Sequence, residues 1–185
     1  MSAGHSGGAL LLCLDMQPAF LKAVPDSDLL LRRCRLAIAA AGGLGMPAGF
    51  TEQVPAKLGV TDPGLRALAP TAPVYAKESF SAFADPTARA QLLGSGTLEH
   101  LLLCGIETPI CVYQTALQAL DADVAVTVLS DAVGARRAED ARTCLAALAR
   151  AGVHILPVET VFYAMLGGAK HPFFKAYTEL VKSHA

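Results

Sequence analysis

Charge is scarce in this sequence. Only 17% of the 185 residues are Asp, Glu, Lys or Arg, the net charge is −1, and 53% are hydrophobic. So few charges exclude the basic footprint of a nucleic-acid binder and any general attraction to anionic lipid. The apolar content excludes a disordered chain. Long hydrophobic runs are missing too, and none approaches the roughly 20 residues that cross a membrane. The start, residues 1–8, is Gly/Ser-rich without a basic n-region, so it reads as a flexible tail and not as a signal peptide. There is no C-x-x-C pair. The five cysteines, Cys13, Cys34, Cys104, Cys111 and Cys144, are odd in number and mostly lie inside apolar runs. They read as free thiols of a reducing cytosol, which predicts a cytoplasmic protein. The five histidines show no metal-ligand spacing. No repeat or linker divides the remainder, so residues 9–185 fit one domain. A weakly charged, apolar composition is also compatible with burying surface in a homo-oligomer, a dimer or tetramer.

Strands and helices alternate along the chain. Continuous apolar runs predict strands at Ala9–Leu14, Met46–Thr51, Val74–Lys77, Leu101–Cys104, Val124–Leu129 and Val153–Leu156. Between them, Asp26 or Ser27 caps a helix to about Ala41, Asp85-Pro86 opens another, and Ala138–Ala149 is a third. The Pro-rich segment Glu52–Pro70 predicts loop with a little helix, and Thr160–Leu166 and Pro172–Lys182 close the chain as helices. The alternation argues for βαβ units: an α/β fold, a parallel sheet covered on both faces. Such sheets bind ligands beyond the carboxyl ends of their strands.

The stretch from Leu101 to Leu120 organises the rest. Gly105 breaks its apolar run, Thr108 suits a helix N-cap and Pro109 the first helical position. Val112, Thr115, Ala116, Ala119 and Leu120 then recur on one helical face. Cys111 falls at the third helical position, where free N–H groups and the helix dipole favour thiolate. Against that, an unpaired cysteine is commonly a small buried hydrophobe. Asp15 ends the first strand and Lys77 the third, so the fold predicts that both face Cys111 across one crevice. Singly, Asp15 can be a loop cap and Lys77 a surface lysine. Jointly, a carboxylate can take the thiol's proton and an ammonium can hold the charge.

Three motifs carry a family resemblance: Leu12-Cys13-Leu14-Asp15-Met16-Gln17-Pro18-Ala19-Phe20, Ala76-Lys77-Glu78-Ser79-Phe80-Ser81, and Gly105 through Ala116 around Cys111. In their order and spacing the chain resembles the isochorismatase-like cysteine hydrolase superfamily, over about Ala9–Lys182. Residues Thr51–Gly59 and His171-Pro172-Phe173-Phe174-Lys175 are most similar to its uncharacterised isochorismatase domain-containing branch. The resemblance implies a three-layer α/β/α, Rossmann-like fold with a six-stranded parallel sheet of order 3-2-1-4-5-6. It places a catalytic Asp-Lys-Cys triad on Asp15, Lys77 and Cys111. It also implies a non-proline cis peptide mapped onto Glu107–Thr108, with an oxyanion hole formed by backbone N–H groups from Thr108 through Ile110 to Cys111. Gln17, Phe20, Phe80 and Phe83 are the expected substrate pocket.

Departures from the family narrow the chemistry. Its nicotinamidases hold zinc with an Asp and two His after the second strand, and here that region has no histidine, so no metal and no cofactor are expected. Its true isochorismatases lack the cysteine, so Cys111 argues against vinyl-ether cleavage. The expectation is a metal-independent hydrolase of a small C–N substrate (amide, carbamoyl or nitrile) working through a Cys thioester. Two alternatives stay open at this point: a catalytically silent binding or interaction protein, and a thiol redox sensor. No nucleic-acid or membrane partner is expected.

Overall fold

The computed structural model describes residues 8–94 and 98–184, so the expected tail lies outside the described residues except for Gly8. Six strands alternate with helices: β1 (Ala9–Leu14), α1 (Pro18–Leu21), α2 (Ser27–Gly43), β2 (Ala48–Gln53), α3 (Pro55–Leu58), α4 (Pro63–Arg66), β3 (Val74–Lys77) and α5 (Pro86–Leu93). There follow β4 (His100–Ile106), a π-helical turn (Thr108–Val112), α6 (Tyr113–Leu120), β5 (Ala125–Gly134), α7 (Ala138–Arg150), β6 (His154–Leu156), α8 (Val158–Leu166) and α9 (Phe174–His184). All pairings are parallel and the strand order is 3-2-1-4-5-6, as the resemblance implied.

The sheet splits the apolar residues between two cores. Alternate residues of a strand point to opposite faces. Leu11 and Cys13 of β1 join Leu102 and Cys104 of β4 in one core, while Leu10, Leu12 and Leu14 join Leu101 and Leu103 in the other. Helix α2 covers the first face with Leu30, Cys34, Ala37, Ile38 and Ala41, a helical repeat of buried residues. Helix α6 covers the second with Ala116 and Ala119. Burial of each leucine contributes about 1.5–3 kcal/mol, and Leu→Ala in either central strand would cost about 2–5 kcal/mol.

Several boundaries differ from the sequence expectation for physical reasons. Strand β2 runs to Gln53, past Thr51, because its backbone continues to pair with β3 through Gln53 opposite Lys77. Strand β5 runs past Leu129 to Gly134, although the apolar run ends, since Gly105 and Ile106 of β4 pair with Val133 and Gly134 after a register shift. Asp131 therefore lies inside a strand. Its carboxylate accepts the Val158 N–H at 2.8 Å and so caps α8 two residues earlier than expected, while also binding Arg33. In α8, Val161, Phe162 and Leu166 are core, while Tyr163 and Met165 are exposed. Among the described residues no helix is long and apolar enough to cross a membrane.

Candidate active site

The strand order reverses between β1 and β4, and the ends of these two strands supply the acid and the thiol. That is the switch point at which open α/β sheets bind ligands. Asp15 follows β1 directly, with a left-handed backbone at φ 51°. Its N–H donates to the Thr51 carbonyl at 3.1 Å, and its Oδ1 accepts from the Thr51 hydroxyl at 2.6 Å. Its Oδ2 accepts from Lys77 Nζ at 2.7 Å. The pair is almost sealed from solvent, at 1% exposure for Asp15 and 2% for Lys77. Lys77 spends its other protons on Gln53 Oε1 at 2.7 Å and the Ser79 carbonyl at 3.3 Å. A buried charge needs such complete satisfaction to be tolerated.

Cys111 reaches the same point from the opposite strand. Gly105 makes the turn possible: its φ is +107°, and a Cβ there would sit 2.2 Å from the Leu14 carbonyl oxygen. The cis peptide lies between Ile106 and Glu107, one residue before the expected Glu107–Thr108. No residue type marks that position. Thr108 is not the N-cap; that place belongs to Glu107, and the buried Thr108 hydroxyl donates to the Gly134 carbonyl at 2.9 Å. The N–H groups of Ile110 and Val112 both donate to the Glu107 carbonyl, at 3.0 and 3.2 Å. This shared acceptor makes a wide π turn, so Cys111 is its fourth residue and α6 starts only at Tyr113. It also occupies the Ile110 N–H expected to serve an oxyanion.

The resting thiol is not the thiolate that the helix-dipole argument favoured. Burial pushes the Cys111 thiol up to about 12, and the Asp15 carboxylate reinforces the shift. Lys77 and the Glu107 N–H oppose it without winning. The ammonium lies against Asp15, so much of its field is already neutralised. The site therefore holds a thiol with a carboxylate beside it.

A cavity of about 260 Å³ opens onto Asp15, Gln53 and Cys111. Its walls are mainly apolar: Ala19, Phe20, Ala23, Val24, Phe80, Ile106 and Ile110. Phe20 and Phe80 thus line it as expected, and Phe80 is 55% exposed. Phe83 does not line it; it is buried in the second core with Ala88 and Leu92. Gln17 does not either. Its amide accepts from the Gln53 N–H at 2.8 Å and donates to the carbonyls of Gln53 and Gly59, which leaves nothing for a substrate. Three contributors were missed from the sequence: Thr51 and Gln53, which hold Asp15 and Lys77, and Arg136. The signal for the first two was their place at the end of β2, which the expected boundary cut short. Arg136 enters from beyond β5, and its Nε donates to Glu107 Oε2 at 3.0 Å.

Residues 9–160 match the isochorismatase domain family. The chain belongs to that family. Within it, the chain is 35% identical to isochorismatase domain-containing protein 2 of Xenopus laevis, over 98% of this chain and 87% of that one. The MAR1 ribonuclease of Caenorhabditis elegans superposes with a TM-score of 0.89 at 28% identity, covering 98% of this chain and 93% of that one. YcaC of Escherichia coli, described as an octameric hydrolase of unknown specificity, shares the fold at TM-score 0.77 and 19% identity, covering 100% of this chain and 97% of that one. This isochorismatase-family hydrolase carries Asp15 and Cys111 at one cavity, with Lys77 paired to Asp15 outside its lining. Neither cavity carboxylate is free for a metal, since Asp15 is bound to Lys77 and Glu107 to Arg136.

Proposed function

We propose that this isochorismatase-family protein hydrolyses a small, uncharged C–N substrate through Cys111, without a metal. The observation that carries the reading is the buried Asp15–Lys77 pair next to a thiol at the floor of an apolar cavity. For an amide, the Cys111 sulfur bonds to the carbonyl carbon as its proton passes to Asp15. The Cys111 N–H receives the oxyanion. Asp15 then returns the proton to the departing nitrogen, the C–N bond breaks, and a thioester remains. Water, deprotonated by Asp15, attacks the thioester; the acid leaves and the thiol is restored. Because the thiol rests protonated, proton transfer and attack are coupled. Lys77 holds Asp15 in its orientation through their hydrogen bond. Free buried thiols are consistent with a cytoplasmic protein, and the octameric YcaC relative favours a homo-oligomer.

The test is a panel of small amides, carbamoyl compounds and nitriles, with product analysis and mass spectrometry for an acyl adduct on Cys111. Turnover that vanishes in Cys111→Ala supports the reading. The Caenorhabditis elegans relative is called a ribonuclease, so RNA belongs in the panel. The cavity offers a phosphodiester a single guanidinium, Arg136, already paired with Glu107. RNA cleavage lost in Cys111→Ala, with no turnover of any C–N compound, would overturn the reading.

A further inference from the structure

Three of the five cysteines meet at one point that the proposed reaction does not use. Cys13 of β1 lies opposite Cys104 of β4 in the parallel register, and Cys34 of α2 packs onto both from above the sheet. Their sulfur atoms all lie within 4.8 Å of one another. Cys34 donates its thiol proton to the Ala132 carbonyl at 3.3 Å. All three are at most 1% exposed. A pyramidal centre bonded to three sulfurs at about 2.3 Å holds them roughly 3.5 Å apart, so sulfurs within 4.8 Å of one another close by little more than about 1 Å to become a three-sulfur site.

The surroundings decide which atom fits. Among the described residues no His, Asp or Glu completes the group as a fourth ligand, whereas structural zinc takes four. The neighbours are core residues such as Leu11, Leu102 and Ile38. Three thiolates around Zn(II) would leave one buried negative charge, and around Cu(I) two, each costly in an apolar core. A trivalent centre leaves none. Arsenic(III) satisfies that balance, is thiophilic, and arrives as a small uncharged hydroxide able to enter an apolar core during a local opening.

We propose that Cys13, Cys34 and Cys104 form a three-sulfur binding site for trivalent arsenic. In the binding step three As–O and three S–H bonds break and three As–S bonds form. Each departing hydroxide leaves as water with a thiol proton, and nothing is oxidised or reduced. The site is distinct from the Cys111 cavity, so it stands whether or not the hydrolase reading does.

The full-length protein is incubated with arsenite, desalted, and examined by native mass spectrometry and arsenic X-ray absorption. The expected result is one arsenic per chain, a mass gain of one arsenic less three hydrogens, and three sulfur neighbours. Cys111→Ala and Cys144→Ala should retain the arsenic; Cys34→Ala should lose it. If Cys34→Ala does not fold, Cys13→Ala and Cys104→Ala serve in its place, and the sulfur count on the wild type decides alone. No retained arsenic, two sulfur neighbours, or retention that survives loss of a cluster cysteine would overturn the site. Preferential retention of Zn(II) or Cu(I) over arsenite at equal concentration would overturn the choice of ligand.

Discussion

Lys77 Nζ lies 2.7 Å from Asp15 Oδ2 with both side chains at most 1% exposed, an ion pair buried at the end of the sheet. Removing one member strands the other as a buried charge. Lys77→Met is therefore expected to cost about 3–5 kcal/mol, and thermal unfolding should drop by roughly 6–20 °C for a chain of this size. Asp15→Asn combined with Lys77→Met should cost less than the sum of the two. Additive losses in a denaturation series would show that the pair does not act as a unit.

The Cys111 thiol gives a second expectation. Because it is pushed up to about 12, its alkylation by iodoacetamide should climb with pH through the neutral range and show no plateau near pH 7. Asp15→Asn removes a charge that raises the thiol and should move the profile to lower pH; Lys77→Met should move it to higher pH. Turnover should fall in both variants. An Asn variant with a more acidic thiol and a slower reaction marks Asp15 as the base, because a purely structural acid would not separate the two readouts.

Stability should fall on the alkaline side. Above the ordinary thiol value of 9.0 the unfolded chain releases protons that the folded chain keeps, so the folded state loses ground as pH rises towards about 12. At about pH 10 the loss from Cys111 is about 1.4 kcal/mol. Cys13, Cys34 and Cys104, also raised by burial, add to it with the same sign. Urea midpoints compared at neutral and alkaline pH measure the effect, and Cys111→Ala should reduce the slope.

Two glycines should answer alanine in opposite ways. Gly105→Ala places a Cβ 2.2 Å from the Leu14 carbonyl at φ +107°, and should abolish folding or destroy the turn that presents Cys111. Gly42→Ala, near the end of α2, meets nothing within 4 Å and should stabilise by about 0.5–1 kcal/mol. Soluble expression and chemical denaturation of the two variants check this directly.

The sequence by itself determined the class of fold. The β1 run Ala9–Leu14 and the β4 run Leu101–Cys104 are apolar at every position because a parallel strand is buried on both faces, and that pattern is local. Asp15 and Lys77 were legible as residues at strand ends, and the three motifs gave the family. Only the tertiary structure decided how those residues behave. The ionisation of Cys111 depends on burial and on Asp15, 96 positions away in sequence, and these outweigh the local helix-terminus effect that a sequence reading sees. Gln17 and Phe83 resembled pocket residues by position, yet one is consumed by backbone partners on β2 and beyond α3, and the other faces a core. Arg136, Thr51 and Gln53 entered the site through strand registers that hydrophobic pattern does not encode, since backbone pairing continues where side-chain hydrophobicity stops. The meeting of Cys13, Cys34 and Cys104 was equally invisible, because a parallel register and a helix crossing bring together residues with no common spacing.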